Sequence, residues 1–186
     1  MVSDSNLKII SIIFYPTNIA VPIIIAFSLG NIVEMMLALV FISIIPFFLT
    51  AHYAKKKNIN IDIFEQDKRH IPFIMSLASF ALGALLFRYL NSTLLYTLCL
   101  AYLNIAIAFL VINTKSKISV HVAGVAGVAT FATYIFGLIT APLFLLVPFI
   151  GWVRYKMNAH DLYQIIGGIA VSIVISFLTF SAFYPI

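Results

Sequence analysis

The sequence predicts an all-α fold, a polytopic transmembrane helical bundle with six or seven membrane helices in one domain spanning residues 1–186. Two observations carry that expectation. Of the 186 residues, 63% are hydrophobic and only 9% are charged, and mean hydropathy is +1.11. A soluble core of this size has no use for so much apolar surface, whereas a bilayer asks for apolar runs of about 20 residues. The apolar residues also fall into such runs. Candidate spans cover residues 8–29, 33–53, 71–90, 93–113, 120–138, 141–157 and 161–184.

The first run is too long for a cleavable signal and no small-residue cleavage pattern closes it, so it is expected to remain as a helix. Gly30-Asn31, Asn91-Ser92 and Ile139-Thr140-Ala141 are short breaks, which makes neighbouring helices antiparallel. The sixth run is short. Its apolar part, Ala141 to Val153, reaches only about 20 Å at 1.5 Å per residue, against a hydrocarbon core of about 30 Å. Arg154 is therefore expected below the membrane surface, where an ionisable residue signals function.

Composition excludes several classes. The single cysteine, Cys99, supports neither a disulfide framework nor a thiolate metal site. No phosphate-binding glycine motif and no close repeat is present. The net charge of +5 comes from basic residues too scattered for a nucleic-acid surface.

Three polar stretches interrupt the apolar chain: Asp67-Lys68-Arg69-His70-Ile71-Pro72, Lys117-Ile118-Ser119-Val120-His121, and Arg154 with His160 and Gln164. A pair of helices separates each from the next, so all three return to one membrane side. Ten of the eleven Lys and Arg residues fall on that side, Arg88 being the exception. The positive-inside rule then places it in the cytoplasm. Two arginines, a serine and two histidines meeting at one surface suit a phosphate ester.

At these residues the chain resembles the type 2 phosphatidic acid phosphatase superfamily of membrane lipid phosphatases. That family carries Lys-x6-Arg-Pro, then Pro-Ser-Gly-His, then Ser-Arg-x5-His-x3-Asp. The counterparts here are Arg69 with Pro72, then Ser119-Val120-His121, then Arg154-x5-His160-x3-Gln164 followed by Gly168. The likeness spans roughly residues 60 to 184. The chain departs from the pattern at Asp62, where the family Lys falls, and at Ile118, Val120, Val153 and Gln164.

The resemblance implies metal-independent, cofactor-free hydrolysis of a lipid phosphate monoester or diphosphate. It makes His160 the nucleophile that forms a phosphohistidine, with Gln164, four residues on, orienting its ring. His121 protonates the leaving oxygen and later activates water. Arg69, Arg154, Ser119 and Lys68 bind the phosphate oxygens, with Lys68 or one of Lys55, Lys56 and Lys57 standing in for the missing family Lys. The expected partners are a lipid phosphate substrate and the surrounding membrane lipids. Phosphatidate, a phosphatidylglycerophosphate-type lipid and a polyprenyl (di)phosphate all qualify.

Plainer readings of the same residues stand beside these. Ser119 suits an N-cap, His121 and His160 suit interfacial positions, and the arginines suit headgroup anchors. Asp62, Glu65 and Asp67 in one loop suggest a Mg²⁺-diphosphate site, although prenyltransferases of that kind use two such loops. The alternative functions are non-catalytic binding or transport of an anionic lipid, and phosphotransfer to an alcohol acceptor.

Overall fold

The computed structural model describes residues 4–63 and 65–185, and these form helices and their connections. In chain order the α-helices are α1 (Asp4–Ile13), α2 (Val21–Phe27), α3 (Ile32–Ala38), α4 (Ile45–Lys57), α5 (His70–Tyr89), α6 (Thr93–Ile112), α7 (Val120–Phe136), α8 (Leu146–Lys156) and α9 (Leu162–Phe183). A π-helical turn, Leu39–Ile44, fuses α3 to α4, and a 3-10 segment, Gly137–Leu145, joins α7 to α8.

Among the described residues, five helical segments are long and apolar enough to cross a membrane: Ile32–Lys57, Asp67–Tyr89, Thr93–Ile112, Val120–Lys156 and Leu162–Phe183. The chain is a membrane protein by this measure. The expected first span, 8–29, is broken. Pro16 lacks the N–H that would continue α1, and the Asn18 side chain donates to the carbonyl of Ile12 at 3.0 Å. α1 and α2 are each too short to cross. The expected turn at Ile139 to Ala141 lies earlier, at Gly137. Its φ of +76° is open to glycine and strained for other residues. The following 3-10 segment packs back on α7, so α8 returns Arg154 to the end where α7 begins.

Packing is densest between α5 and α6 and between α7 and α9, with α6 also against α9. Phe80, Phe87, Leu98, Phe131 and Phe180 fill the core, and the Phe131 and Phe180 rings stack at 5.7 Å. The outer faces are just as apolar: Ile74, Leu82, Leu85, Val174, Phe177 and Leu178 are exposed. A helix hydrophobic all round needs lipid on its outside. Small residues bring the helices close. A Cβ on Gly127 would lie 2.8 Å from Ser172 Oγ on α9, the kind of approach that drives association in membranes.

The π turn has a local cause. Pro46 has no N–H, and Ile45 N–H bonds back to Val40, five residues earlier. The carbonyl of Phe41 is thereby left over, and Ser79 Oγ on α5 donates to it at 2.7 Å. Ser43 in the same turn donates to the carbonyl of Thr17 at 2.6 Å. That bond fixes the break after α1 and leaves Ser11 facing the bundle.

Candidate functional site

The loop after α4 sets the first part of the site. Asn58 adopts a left-handed conformation and ends α4. Asn60 Oδ1 accepts from the Asp62 N–H at 2.9 Å. Gln66 and Asn113 then clamp the loop to the end of α6 through reciprocal side-chain-to-carbonyl bonds of 2.7 and 2.9 Å. Ile63 sits at φ 39°. For a β-branched residue that conformation is an outlier costing about 1–3 kcal/mol. Arg69 holds it there, its Nε donating to the Ile63 carbonyl at 2.8 Å while Nη1 donates to Ile118 O at 3.1 Å.

This loop drives Asp62 inward. Its Oδ2 accepts from Arg154 Nη1 at 2.8 Å, and its Oδ1 lies 3.3 Å from His121 Nε2. Ser11 Oγ accepts from Arg154 Nη1 at 2.6 Å and lies 3.1 Å from Asp62 Oδ2 and 3.3 Å from His121 Nε2. Burial opposes ionisation of Asp62, but the His121 and Arg154 partners outweigh it and hold the carboxyl well below its usual range. Arg154 is fully buried and His121 is 1% exposed. The Tyr15 ring meets the His121 ring edge-on at 5.3 Å, which fixes the imidazole plane.

The other half of the site forms where α9 approaches the start of α7. Ser119 N–H donates to the carbonyl of Gln164 at 3.1 Å. Gly168 permits this contact, since a Cβ there would lie 2.7 Å from Ser119 O. His160 Nδ1 lies 2.9 Å from Gln164 Oε1, so the tautomer protonated at Nδ1 donates to the amide and presents a lone pair at Nε2. Asp161 cannot take Gln164's place, because its carboxylate caps α9 by accepting the Gln164 N–H at 2.8 Å. Burial, then the nearby Arg69 charge, push the His160 imidazole down to about 3 despite the Gln164 bond. It is neutral at physiological pH.

Four buried polar atoms of this constellation have no hydrogen-bond partner among the described residues: Arg69 Nη2, Ser119 Oγ, His121 Nδ1 and His160 Nε2. Buried polar atoms are rarely left so. Each histidine thus has one ring nitrogen anchored, to Asp62 or to Gln164, and the other bare. Chemically, a bare imidazole nitrogen can serve as a nucleophile or an acid–base group, and a guanidinium N–H or a hydroxyl can donate to an anion.

Of the sequence candidates, Arg69, Ser119, His121, Arg154, His160 and Gln164 converge here. Lys68 does not. Its ammonium binds Glu65 at 3.1 Å on the exposed side of the loop, because neighbouring residues of the 3-10 turn at Asp67–Arg69 point apart. Ser119 occupies the N-cap position of α7 but its hydroxyl makes no capping bond. The acidic loop is also dispersed: Asp62 faces inward while Glu65 and Asp67 are exposed. No group of three His, Cys, Asp or Glu among the described residues is placed to hold a metal ion.

Sequence reasoning missed Ser11, since one serine in an apolar run carries no signal of its own. It read Asp62 as a lost lysine or as part of an acidic loop, and not as the buried partner of Arg154 and His121.

An apolar cavity of about 120 Å³ adjoins the site. Asp62, Arg69 and His121 line it, and it continues between α5, α6 and α7 past Phe73, Phe109 and Phe131. No protein-family model matches the chain, and no curated protein or solved structure matches it.

Proposed function

We propose that the chain is a membrane-integral phosphatase of the type 2 phosphatidic acid phosphatase kind, hydrolysing a lipid phosphate through a phosphohistidine on His160. The observation that carries this reading is the set of bare, buried polar atoms on Arg69, Ser119, His121 and His160. Those residue types are what phosphoryl transfer needs: fixed donors for the equatorial oxygens and an aligned nucleophile.

In the proposed reaction the phosphate oxygens take hydrogen bonds from Arg69 Nη2 and Ser119 Oγ. The Nε2 lone pair of His160 attacks phosphorus, and the bond from phosphorus to the lipid oxygen breaks. This step requires His121 in its protonated form, held at Nε2 by Asp62, and that form gives its Nδ1 proton to the departing alkoxide. Neutral His121 then takes a proton from water as that water attacks the phosphohistidine, which releases phosphate and restores His160. Asp62 does for His121 what a carboxylate does in other dyads: it fixes the tautomer and stabilises the imidazolium. Gln164 fixes His160 without charge.

On this reading the polar end faces the cytoplasm, following the basic residues on that side, and the helices form six or seven membrane passages counting α8 and the broken first run. The Asp62–Arg154 ion pair favours a second reading, a lipid-binding protein that has lost catalysis, because it occupies the guanidinium expected to clamp phosphate.

Phosphate release from lipid phosphates by purified protein in EDTA, beside His160→Ala, separates the two. Release that survives EDTA and is absent in the variant supports the histidine mechanism. No release from any lipid, with equal lipid binding by both proteins, points to binding alone. Release that persists in His160→Ala removes the phosphohistidine.

A further inference from the structure

We infer that Ser11 is a positioning residue for His121: its hydroxyl accepts from Nε2, holds the ring proton there, and leaves the Nδ1 lone pair to take a proton from water. The placement of the proton rests on geometry alone. Its kinetic consequence rests on the phosphatase reading.

Ser11 lies on α1, outside the stretch of roughly residues 60 to 184 that carries the family likeness. It is 1% exposed. A hydroxyl has one proton to give and two lone pairs with which to accept. Arg154 Nη1 can only donate, and it occupies one lone pair at 2.6 Å. An ionised Asp62 can only accept, and it takes the Ser11 proton, with Oδ2 at 3.1 Å and Oδ1 at 3.3 Å. What remains for His121 Nε2, at 3.3 Å, is the second lone pair. The two ionic neighbours thus set the direction of the Ser11 hydroxyl, and that direction requires a proton on Nε2.

Asp62 asks for the same tautomer but holds it loosely. Its Oδ1 lies 3.3 Å from Nε2, against about 2.7–2.9 Å for a close charge-assisted bond. Its Oδ2 is already taken by Arg154 Nη1 at 2.8 Å. Nδ1 has no hydrogen-bond partner among the described residues. Without Ser11, water reaching Nδ1 accepts as readily as it donates, and the ring proton can move there. One hydrogen bond corresponds to about a tenfold change in the ratio of tautomers.

The step affected is breakdown of the phosphohistidine. Water gives one proton to His121 Nδ1 and its oxygen to phosphorus, and the bond from phosphorus to His160 Nε2 breaks. The imidazolium that forms donates from Nε2 to Asp62 and Ser11. A bond to a charged group is worth more than a neutral one, so losing Ser11 slows this step by about tenfold or more. Formation of the phosphohistidine from p-nitrophenyl phosphate needs no acid, because nitrophenolate leaves unprotonated.

The test compares the full chain with Ser11→Ala and with Ser11→Thr, which keeps the hydroxyl, after thermal unfolding confirms that the alanine variant folds. Histidine ¹⁵N spectra are taken well above the ordinary imidazole pKa of about 6.5, with His121 identified by its loss in His121→Gln. Wild type is expected to carry the proton on Nε2, with an Nδ1–H population appearing in Ser11→Ala. Wild type protonated at Nδ1, or a Ser11→Ala spectrum unchanged from wild type, overturns the inference. In stopped flow with p-nitrophenyl phosphate, Ser11→Ala should release a burst of nitrophenolate and then turn over about tenfold more slowly than wild type, and Ser11→Thr should restore the wild-type course. A variant that slows burst and turnover alike, or neither, overturns the role of Ser11 and leaves the phosphatase reading standing. If wild type hydrolyses neither this ester nor dioleoyl phosphatidate, the phosphatase reading falls, and the ¹⁵N spectra alone keep or overturn the proton placement.

Discussion

Replacing Asp62 by Asn tests the electrostatic centre of the site with almost no change of shape. Asp62 is the carboxylate that faces both Arg154, at 2.8 Å, and His121, at 3.3 Å. Arg154 is fully buried. Removing one partner of a buried ion pair costs about 3–5 kcal/mol, because the other charge remains without its counter-ion. For a chain of this length 1 kcal/mol moves the midpoint by about 2–4 °C, so D62N is expected to unfold roughly 6–20 °C below wild type. Ser11→Ala, which removes a neutral hydroxyl from the same cluster, should cost only about 1 kcal/mol. The carboxyl of Asp62 lies lower folded than its ordinary 3.8. Its contribution is therefore complete above that value and is lost as pH falls through the folded pKa. Wild type should lose stability below about pH 4 and D62N should lack that component. Inorganic phosphate should raise the midpoint of D62N more than that of wild type, since it meets a guanidinium no longer neutralised by a carboxylate. Thermal unfolding of detergent-purified protein reads all three. A D62N midpoint within 2 °C of wild type, or equal phosphate shifts in both proteins, would refute the argument that Asp62 is the counter-ion of a buried anion site.

Four other outcomes follow from the same geometry. Gly168→Ala sets a methyl 2.7 Å from Ser119 O, so α9 must move from α7. We expect about 1–3 kcal/mol of destabilisation by thermal unfolding and a fall in kcat as Ser119 shifts. Gln164→Asp places a carboxylate on His160 and raises its pKa from about 3; the acid limb of the kcat profile should then move to higher pH while kcat rises. His160 itself has a folded pKa below its ordinary 6.5, so its linked stability is present above 6.5 and is lost as pH falls toward 3, a slope that His160→Gln should reduce. Lys68→Ala should change neither activity nor midpoint beyond about 0.5 kcal/mol, because its ion pair with Glu65 is exposed.

How much of this was legible in the sequence depends on which force placed each residue. The helices were legible because apolar runs report burial in lipid directly, and α5, α6 and α9 fall close to the expected 71–90, 93–113 and 161–184. The first run was not, since hydropathy ignores the missing N–H of Pro16 and the Asn18 side chain that together end α1. The pairing of His160 with Gln164 follows from helical spacing, a local property, and it is present at 2.9 Å. The partner of His121 is 59 positions away at Asp62, and Ser11 reaches across to Arg154 from the first helix. No spacing rule connects those residues. Only the packing of four segments does, and the strained Ile63 and the Gln66–Asn113 clamp are what turn the loop toward them.

On the proposed phosphatase reading, the departures from that family's pattern become intelligible on the same ground. Read along the chain, the acid at 62 and the amide at 164 are two separate losses, of a phosphate-binding cation and of a histidine-orienting carboxylate. In three dimensions they are a single exchange. The carboxylate withdrawn from His160 reappears on His121, and the cation withdrawn at 62 leaves room for it beside Arg154. Such an exchange shifts electrostatic support from the nucleophile to the acid–base group. An enzyme built this way would form its phosphohistidine slowly and break it readily, so the intermediate should accumulate little in wild type and more in Gln164→Asp. Rapid acid quench with ³²P-labelled substrate measures that ratio, and equal accumulation in both proteins would show that the exchange has no bearing on the reaction.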